Sequence, residues 1–395
     1  MFPTMMNSFE LESEAGPTER GRAPNNNAAF RKVGDLPHIR RQSRGSRRMV
    51  RSIFGATRRY LLPTSFCLLL LHCSLLTASA AWTRQRSGTM AWLHAVYFLN
   101  QDTGWVAGSN GTLLFTNDGG RSWHAMRRPT EDALRDVYFS DEEKGWLVCD
   151  RAVYKLKTAD EPQTYLLRTI DGGANWRRVD LSDPHTRVAR AVFRGDGRGW
   201  TFGEAGAFYA TNDGGASWMK QTLPTKHLLL DGEFLDDEHG WLVGAGATIL
   251  QTSDGGETWR TGLVRGEPRV RFTAASFVEK RLGWAVGAAG QVFATRDGGR
   301  IWFPQNSGID ADLLDVKFLN AAEGWAVGSA GTLLHTNNGG ARWIIEPSGT
   351  PHPLERIFFV DRSHAWAVGF GGTILSYSSN PLSPNTPELN RRTGN

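Results

Sequence analysis

Thr116-Asn117-Asp118-Gly119-Gly120-Arg121-Ser122-Trp123 is the stretch that decides how this chain folds. The same spelling returns at 169–176, 211–218, 252–259, 295–302 and 336–343, as T-x-D-G-G-x-x-W, with Asn338 in place of Asp in the last copy. Upstream of each copy lies a Gly-Trp pair, at Trp105, Trp146, Trp200, Trp241, Trp284 and Trp325, and an Ala-Trp pair ends the series at Trp366. The gaps between these Trp residues are 41, 54, 41, 43, 41 and 41, so seven units recur and one carries an insertion. Each unit opens on an alternating apolar run such as Leu93-His94-Ala95-Val96-Tyr97-Phe98, and period two is the mark of a strand. The Gly-Trp segment makes a second strand. A Gly turn leads to a third (Thr112-Leu113-Leu114-Phe115), and the Trp of the repeated octad opens a fourth. Four short strands per 40–45 residues, with no helical window between them, is the arithmetic of a propeller blade. The fold class is therefore all-β, a seven-bladed β-propeller with four antiparallel strands per blade.

The octad resembles the Asp box of bacterial neuraminidase repeats, S/T-x-D-x-G-x-x-W. Its chemistry is conformational. The Gly pair permits positive φ in the turn, the carboxylate accepts turn N–H groups, and the Trp covers the hairpin. Asp118, Asp171, Asp213, Asp254, Asp297 and Asn338 are accordingly read as structural, since a residue required in every blade serves the blade. Six boxes serve seven units, and the seventh unit runs out of strands before Pro381, Pro384 and Pro387. Trp82 precedes Leu93 by the same 11 residues that separate Trp123 from Leu134 and Trp302 from Leu313. The N-terminal strand is thus expected to complete the last blade and close the ring. Fourteen of the 15 Trp then have a repeat position, and Trp92 is left over.

The propeller is expected to span 82–378, with residues 379–395 as a disordered tail. Residues 1–80 hold 12 of the 45 Lys and Arg but 5 of the 40 Asp and Glu, so the remainder carries 33 basic against 35 acidic groups. The basic pI therefore belongs to the leader and does not argue for nucleic-acid binding. Residues 49–80 read as a signal peptide, with an Arg-rich start, the apolar run 61–71 and the A-x-A site Ala78 and Ala80. Residues 1–48 read either as a disordered basic leader or as an over-extended gene start. Arg58-Arg59 also resembles a twin-arginine motif, so Sec and twin-arginine routes both stay open. Cleavage near Ala81 is the expectation. A retained anchor is the alternative, although Pro63 and His72 interrupt a stretch that needs about 20 apolar residues to span. Cys67 and Cys73 would leave with the signal, and Cys149 alone cannot form an internal disulfide.

The paired Gly-Trp and T-x-D-G-G-x-x-W motifs, seven units and an export signal together resemble the photosystem II stability and assembly-factor family, over about residues 82–378. The resemblance implies a non-enzymatic helper in the periplasm or thylakoid lumen. It would bind the D1 reaction-centre subunit or its precursor and be peripheral to the membrane through that partner. A monomer with no cofactor and no metal is expected. The alternative is a cell-envelope Asp-box enzyme acting on carbohydrate, a sialidase or glucanase. Against it stand the absence of an Arg-Ile-Pro context for a sialidase arginine triad and the presence of one ring rather than two. No acid stands outside the repeat except Asp160 and Glu161 in the insertion, whereas glycoside hydrolysis needs two opposed carboxylates. No H-E-x-x-H, C-x-x-C or phosphate loop occurs, and no catalytic residue is expected.

A partner is expected on the face built from inter-blade loops and the turns between second and third strands. Five consecutive loops (83–92, 124–133, 177–187, 219–227 and 260–271) hold 13 basic groups against 5 acidic. The next two hold Asp310, Asp312 and Glu346 with no basic group. Arg84, Arg86, Arg127, Arg128, Arg177, Arg178, Arg187, Arg265, Arg269 and Arg271 are the candidate partner-binding residues. Guanidinium forks pair bidentately with carboxylates, so the expected target is an acidic protein segment.

Overall fold

The computed structural model describes residues 81–378, apart from 159, 196 and 267–269. The expected leader, signal peptide and C-terminal tail, and the candidate Arg269, lie outside the described residues. Seven sheets follow one another along the chain. Blade one runs Leu93–Phe98, Gly104–Gly108, Leu113–Thr116 and His124–Ala125, each strand antiparallel to the next. The first strands of successive blades stand side by side around a central channel, and the fourth strands lie at the rim. Blade five departs from the expectation of four strands. Leu263–Val264, from the loop preceding it, adds a fifth strand parallel to Ile301–Gln305.

Ring closure is as the 11-residue spacing requires. Ala81–Gln85 pairs antiparallel with Thr373–Ser378, placing Trp82 opposite Tyr377. Blade seven is therefore built from both ends of the described chain. Trp366 of that blade donates its indole N–H to the Gly119 carbonyl of blade one, 3.0 Å away and 247 residues distant in sequence.

The Gly-Trp pair has a packing origin. The Gly opening each second strand lies directly opposite a Phe ending the first, as Gly104 opposite Phe98. A Cβ on Gly104 would sit 2.4 Å from that ring, and on Gly240 2.4 Å from Phe234. The Phe ring lies flat against the Trp of the preceding blade. Centroids are 3.4 Å apart for Trp366 and Phe98, 3.8 Å for Trp105 and Phe139, and 3.5 Å for Trp284 and Phe318. Its edge meets the box Trp of its own blade, as in Phe98–Trp123 at 86° and Phe277–Trp302 at 87°. Trp82 meets Phe359 at 90°, so it occupies the box position of blade seven. One repeated triplet of rings therefore joins strand to strand and blade to blade. Such pairs are worth about 0.5–1.5 kcal/mol each beyond area burial.

The exception follows from one methyl group. Blade seven has Ala365, not Gly, opposite Phe359. There the flat stack is lost, and Trp325 and Phe359 sit 6.2 Å apart at 32°. Trp325 stacks instead on His335 and touches Trp82 and Tyr377.

Candidate protein-binding face

The Asp boxes spend their polar groups on themselves. Asp118 accepts hydrogen bonds from the Thr116 hydroxyl at 2.8 Å, the Ser122 N–H at 2.9 Å and the Ser122 hydroxyl at 2.6 Å. Asn338 reproduces part of the pattern, accepting from Thr336 and from the Arg342 N–H. Asp213 is held down to about 2 by the Ser217 hydroxyl, with further help from turn N–H groups and the Thr211 hydroxyl, against the opposing effect of desolvation. The Gly119 N–H bonds Asp102 in the turn between first and second strands, which fixes boxes and those turns on one face. On the opposite face the second-to-third-strand turn reaches the inter-blade loops, with Ser109 N–H donating to Trp92 and Gly111 N–H to Asp132. Gly111 has φ +67°, and a Cβ there would lie 1.8 Å from the Thr130 carbonyl, so this turn admits only Gly.

The candidate arginines do not form one cluster. Arg84 and Arg86 line a cavity of about 620 Å³ at the seam of blades seven and one. Arg127 and Arg128 are exposed, with Arg128 3.9 Å from Glu131. Arg177 is exposed but opens the outer strand of blade two opposite Arg168, one residue before the box, and so lies toward the Asp-box face. Arg178 is paired with Asp180 at 2.6 Å and lies over the Tyr165 ring at 4.2 Å. Arg265 is exposed, just past the fifth strand of blade five. Arg187 and Arg271 do come together, on a cavity of about 360 Å³ at the channel mouth.

That mouth contains residues the sequence reading missed. Arg135, Arg190 and Arg356 line it with Arg187 and Arg271, against Asp150, Glu204 and Glu355. All but Arg187, Arg271, Asp150 and Glu204 come from first strands, where the second and third residues face the channel. In the third position the seven blades carry Ala95, Asp136, Arg190, Asp231, Ala274, Asp315 and Arg356. These positions break the repeat, and the expectation that only Asp160 and Glu161 do so is corrected. Glu161 itself is structural, accepting from Arg151 at 3.1 Å and the Lys157 N–H at 3.1 Å. The signal was present in the alternation of the first strands, once the channel-facing positions were compared across blades.

The channel acids are engaged. Arg190 bonds Asp231 and lies 3.5 Å from Asp136. Asp136, Asp231 and Asp315 each accept a backbone N–H from the next blade, at Ala191, Ala275 and Ile357. Deeper, Lys317 pairs with Glu233 at 3.0 Å. At the mouth, Arg135 pairs with Asp150 at 3.0 Å and Arg187 with Glu204 at 2.8 Å, while Arg271 and Arg356 have no ion pair among the described residues. His94 is pushed down to about 3 by burial, then by Arg135 and Arg356, and stays neutral near pH 7. Burial raises the Glu355 carboxyl despite the neighbouring Arg356. The mouth is net positive and faces the inter-blade loops.

The fold is thus a single ring of Asp-box blades, with the box carboxylates tied into their own turns and an arginine-lined mouth on one face. The family model of the photosynthesis system II assembly factor YCF48 matches residues 75–183, 121–226, 216–306 and 305–378, and the chain belongs to that family. YCF48 from Cyanidioschyzon merolae is similar in structure, at 21% identity and TM-score 0.62, over 76% of this chain and 99% of that one. A YCF48 bound to a D1 peptide is similar at 21% identity and TM-score 0.63, over 75% and 96%. The GH74 xyloglucanase from Xanthomonas campestris shares the fold at 14% identity and TM-score 0.57, over 75% of this chain and 53% of the enzyme. No curated protein matches by sequence.

Proposed function

We propose that this propeller is a non-enzymatic photosystem II assembly factor, exported to the periplasm or thylakoid lumen, that docks an acidic segment of the D1 subunit on its inter-blade face. It acts as a monomer and is held at the membrane through that partner. The observation carrying this reading is the arginine-lined mouth on the inter-blade face, where Arg271 and Arg356 form no ion pair among the described residues. Family membership and the D1 peptide bound by a related YCF48 support the choice of partner. Arginine forks suit carboxylates, and charge complementarity fixes encounter and register. The carbohydrate-enzyme reading is weakened by the channel acids, which bond backbone N–H groups or buried cations rather than standing opposed across an open cleft.

The test is titration of a D1 peptide into the purified propeller and into an Arg187→Glu, Arg271→Glu variant. Binding that survives the double reversal removes the mouth from the interface, and turnover of sialosides or β-glucans would replace the whole reading with the enzymatic one. Export is tested by sequencing the mature N-terminus, which should lie near Ala81.

A further inference from the structure

The Asp-box face holds a second basic site, at the junction of blades four and five. A cavity of about 360 Å³ opens there, lined by Arg260 and Ser253 of blade four and by Lys280, Arg281, Asp297 and Arg300 of blade five. All four cations are exposed. Lys280 is paired with Asp236 at 2.9 Å, but Arg260, Arg281 and Arg300 form no ion pair among the described residues. The Asp297 carboxylate is turned into its own box, accepting from the Thr295 hydroxyl and from the N–H groups of Arg300 and Ile301. Four cations against Asp236 and Asp297 leave the crevice net positive.

Comparison with the neighbouring junctions shows that the charge is particular to this one. At the junction of blades five and six, the residues matching Arg260, Lys280, Arg281 and Arg300 are Phe303, Ala321, Ala322 and Ala341. At the junction of blades three and four they are Met219, Asp237, Glu238 and Glu257. The Asp box, the Gly pair and the Trp are common to all three junctions, so the blade does not require these cations. The three guanidinium groups share the crevice with the Asp297 carboxylate alone, so their charge is incompletely compensated and the crevice attracts anions.

We propose that this crevice binds a compact, multiply charged oxyanion of the phosphate type, either free or as the phosphate group of a small molecule. Guanidinium forks match tetrahedral oxyanions bidentately. The cavity volume is that of a small-molecule site, about 300–1,000 Å³. The crevice lies between two blades on the face opposite the channel mouth, so the site is separate from the proposed D1 interface.

The experiment is calorimetric titration of the purified protein with orthophosphate, pyrophosphate and glucose 6-phosphate, each against sodium chloride of equal ionic strength. One-site saturable binding is expected for at least one probe, with a rise in Tm because the ligand binds only the folded state. Tighter binding of glucose 6-phosphate than of orthophosphate would identify a phosphoester as the ligand, and the reverse a free anion. Arg281→Ala and Arg300→Ala should each weaken binding about tenfold or more, the worth of a charge-assisted hydrogen bond. Their unliganded Tm should equal that of the wild type, and Arg296→Ala should bind normally. The proposal is overturned by absence of saturable binding with all three probes, or by unchanged affinity in both variants. It is also overturned if a D1 peptide displaces pyrophosphate, because the crevice would then belong to the protein interface. Loss of D1 binding in the Arg187→Glu, Arg271→Glu variant leaves these outcomes untouched.

Discussion

Opposite the stacked Phe, blade seven differs from the other six by a single methyl group, that of Ala365, and this makes the ring triplet testable one residue at a time. Gly240 lies under the Phe234 ring, where a Cβ would come within 2.4 Å, and Phe234 is itself stacked on Trp200 at 3.6 Å. Gly240→Ala should therefore force the rings apart and cost about 1–3 kcal/mol, the usual price of overpacking. Ala365→Gly removes a methyl group to which the surrounding rings are already adapted, and should cost under about 1 kcal/mol. Urea midpoints of the two variants give the comparison, and equal losses would break the link between this Gly and the flat stack. His94 gives a second test. Its value is lowered from 6.5 to about 3, so between those pH values the unfolded chain binds a proton that the folded chain refuses. Stability must then fall as pH drops from about 6.5 toward 3. His94→Gln removes the titrating group and should flatten the dependence of Tm on pH across that window. The Asp boxes act lower, since Asp213 and Asp254 are depressed to about 2 and lose their contribution as pH falls through that value. A residual slope below about pH 4 should survive in the variant, for that reason.

At the scale of the element, blade seven is where the chain ends meet. Trp82 touches Trp325 at 5.6 Å, Tyr377 at 5.3 Å and Phe359 at 6.4 Å, so one half-buried ring ties the first described strand to two blades. Trp82→Ala should destabilise about as much as Trp123→Ala, roughly 3 kcal/mol, the low end for loss of a buried aromatic ring. A chain truncated to begin at residue 93 should unfold at clearly lower urea, and a truncated chain as stable as the full propeller would contradict the shared blade. The blades were legible because each strand states its own period, and because the box returns at a nearly constant interval. Closure was legible from the 11-residue spacing alone. The fifth strand of blade five was not. Leu263-Val264 is a strand only two residues long inside the loop 260–271, and its pairing with Ile301 and Trp302 is set by the neighbouring blade rather than by any local pattern. The loss of the flat stack at Trp325 was legible in principle, since Ala365 stands where every other unit has Gly.

At the scale of the whole molecule, the two faces were readable and the site only in part. Loop composition gathers the arginines into the inter-blade loops, but a loop's residue numbers do not say how far from the axis, or toward which face, its side chains end. Arg187 and Arg271 reach the channel mouth, whereas Arg127, Arg128 and Arg265 stay away from that cavity and Arg177 lies toward the other face. Arg135, Arg190 and Arg356 belong to the polar half of the first-strand alternation, and alternation alone does not distinguish a polar residue that lines a channel from one that faces solvent. The structure thus offers two candidate sets for one partner, and charge reversal distinguishes them. The Arg187→Glu, Arg271→Glu variant turns two attractions at the mouth into repulsions and should abolish binding of a D1 peptide. Reversal of Arg127, Arg128 and Arg178 should weaken binding less and mainly slow association, because exposed charges steer encounter more than they hold the complex. Both sets should fold, since rim charges contribute under about 1 kcal/mol each. Association in the wild type should slow as salt rises, because exposed charges are screened over about 8 Å at physiological ionic strength. Arg121→Glu with Arg296→Glu, on the Asp-box face and outside the basic crevice, is the control. Stopped-flow association rates and equilibrium affinities measured at two salt concentrations separate the cases. If the control pair abolishes binding while the mouth pair does not, the partner docks on the Asp-box face and the arginine mouth has some other role.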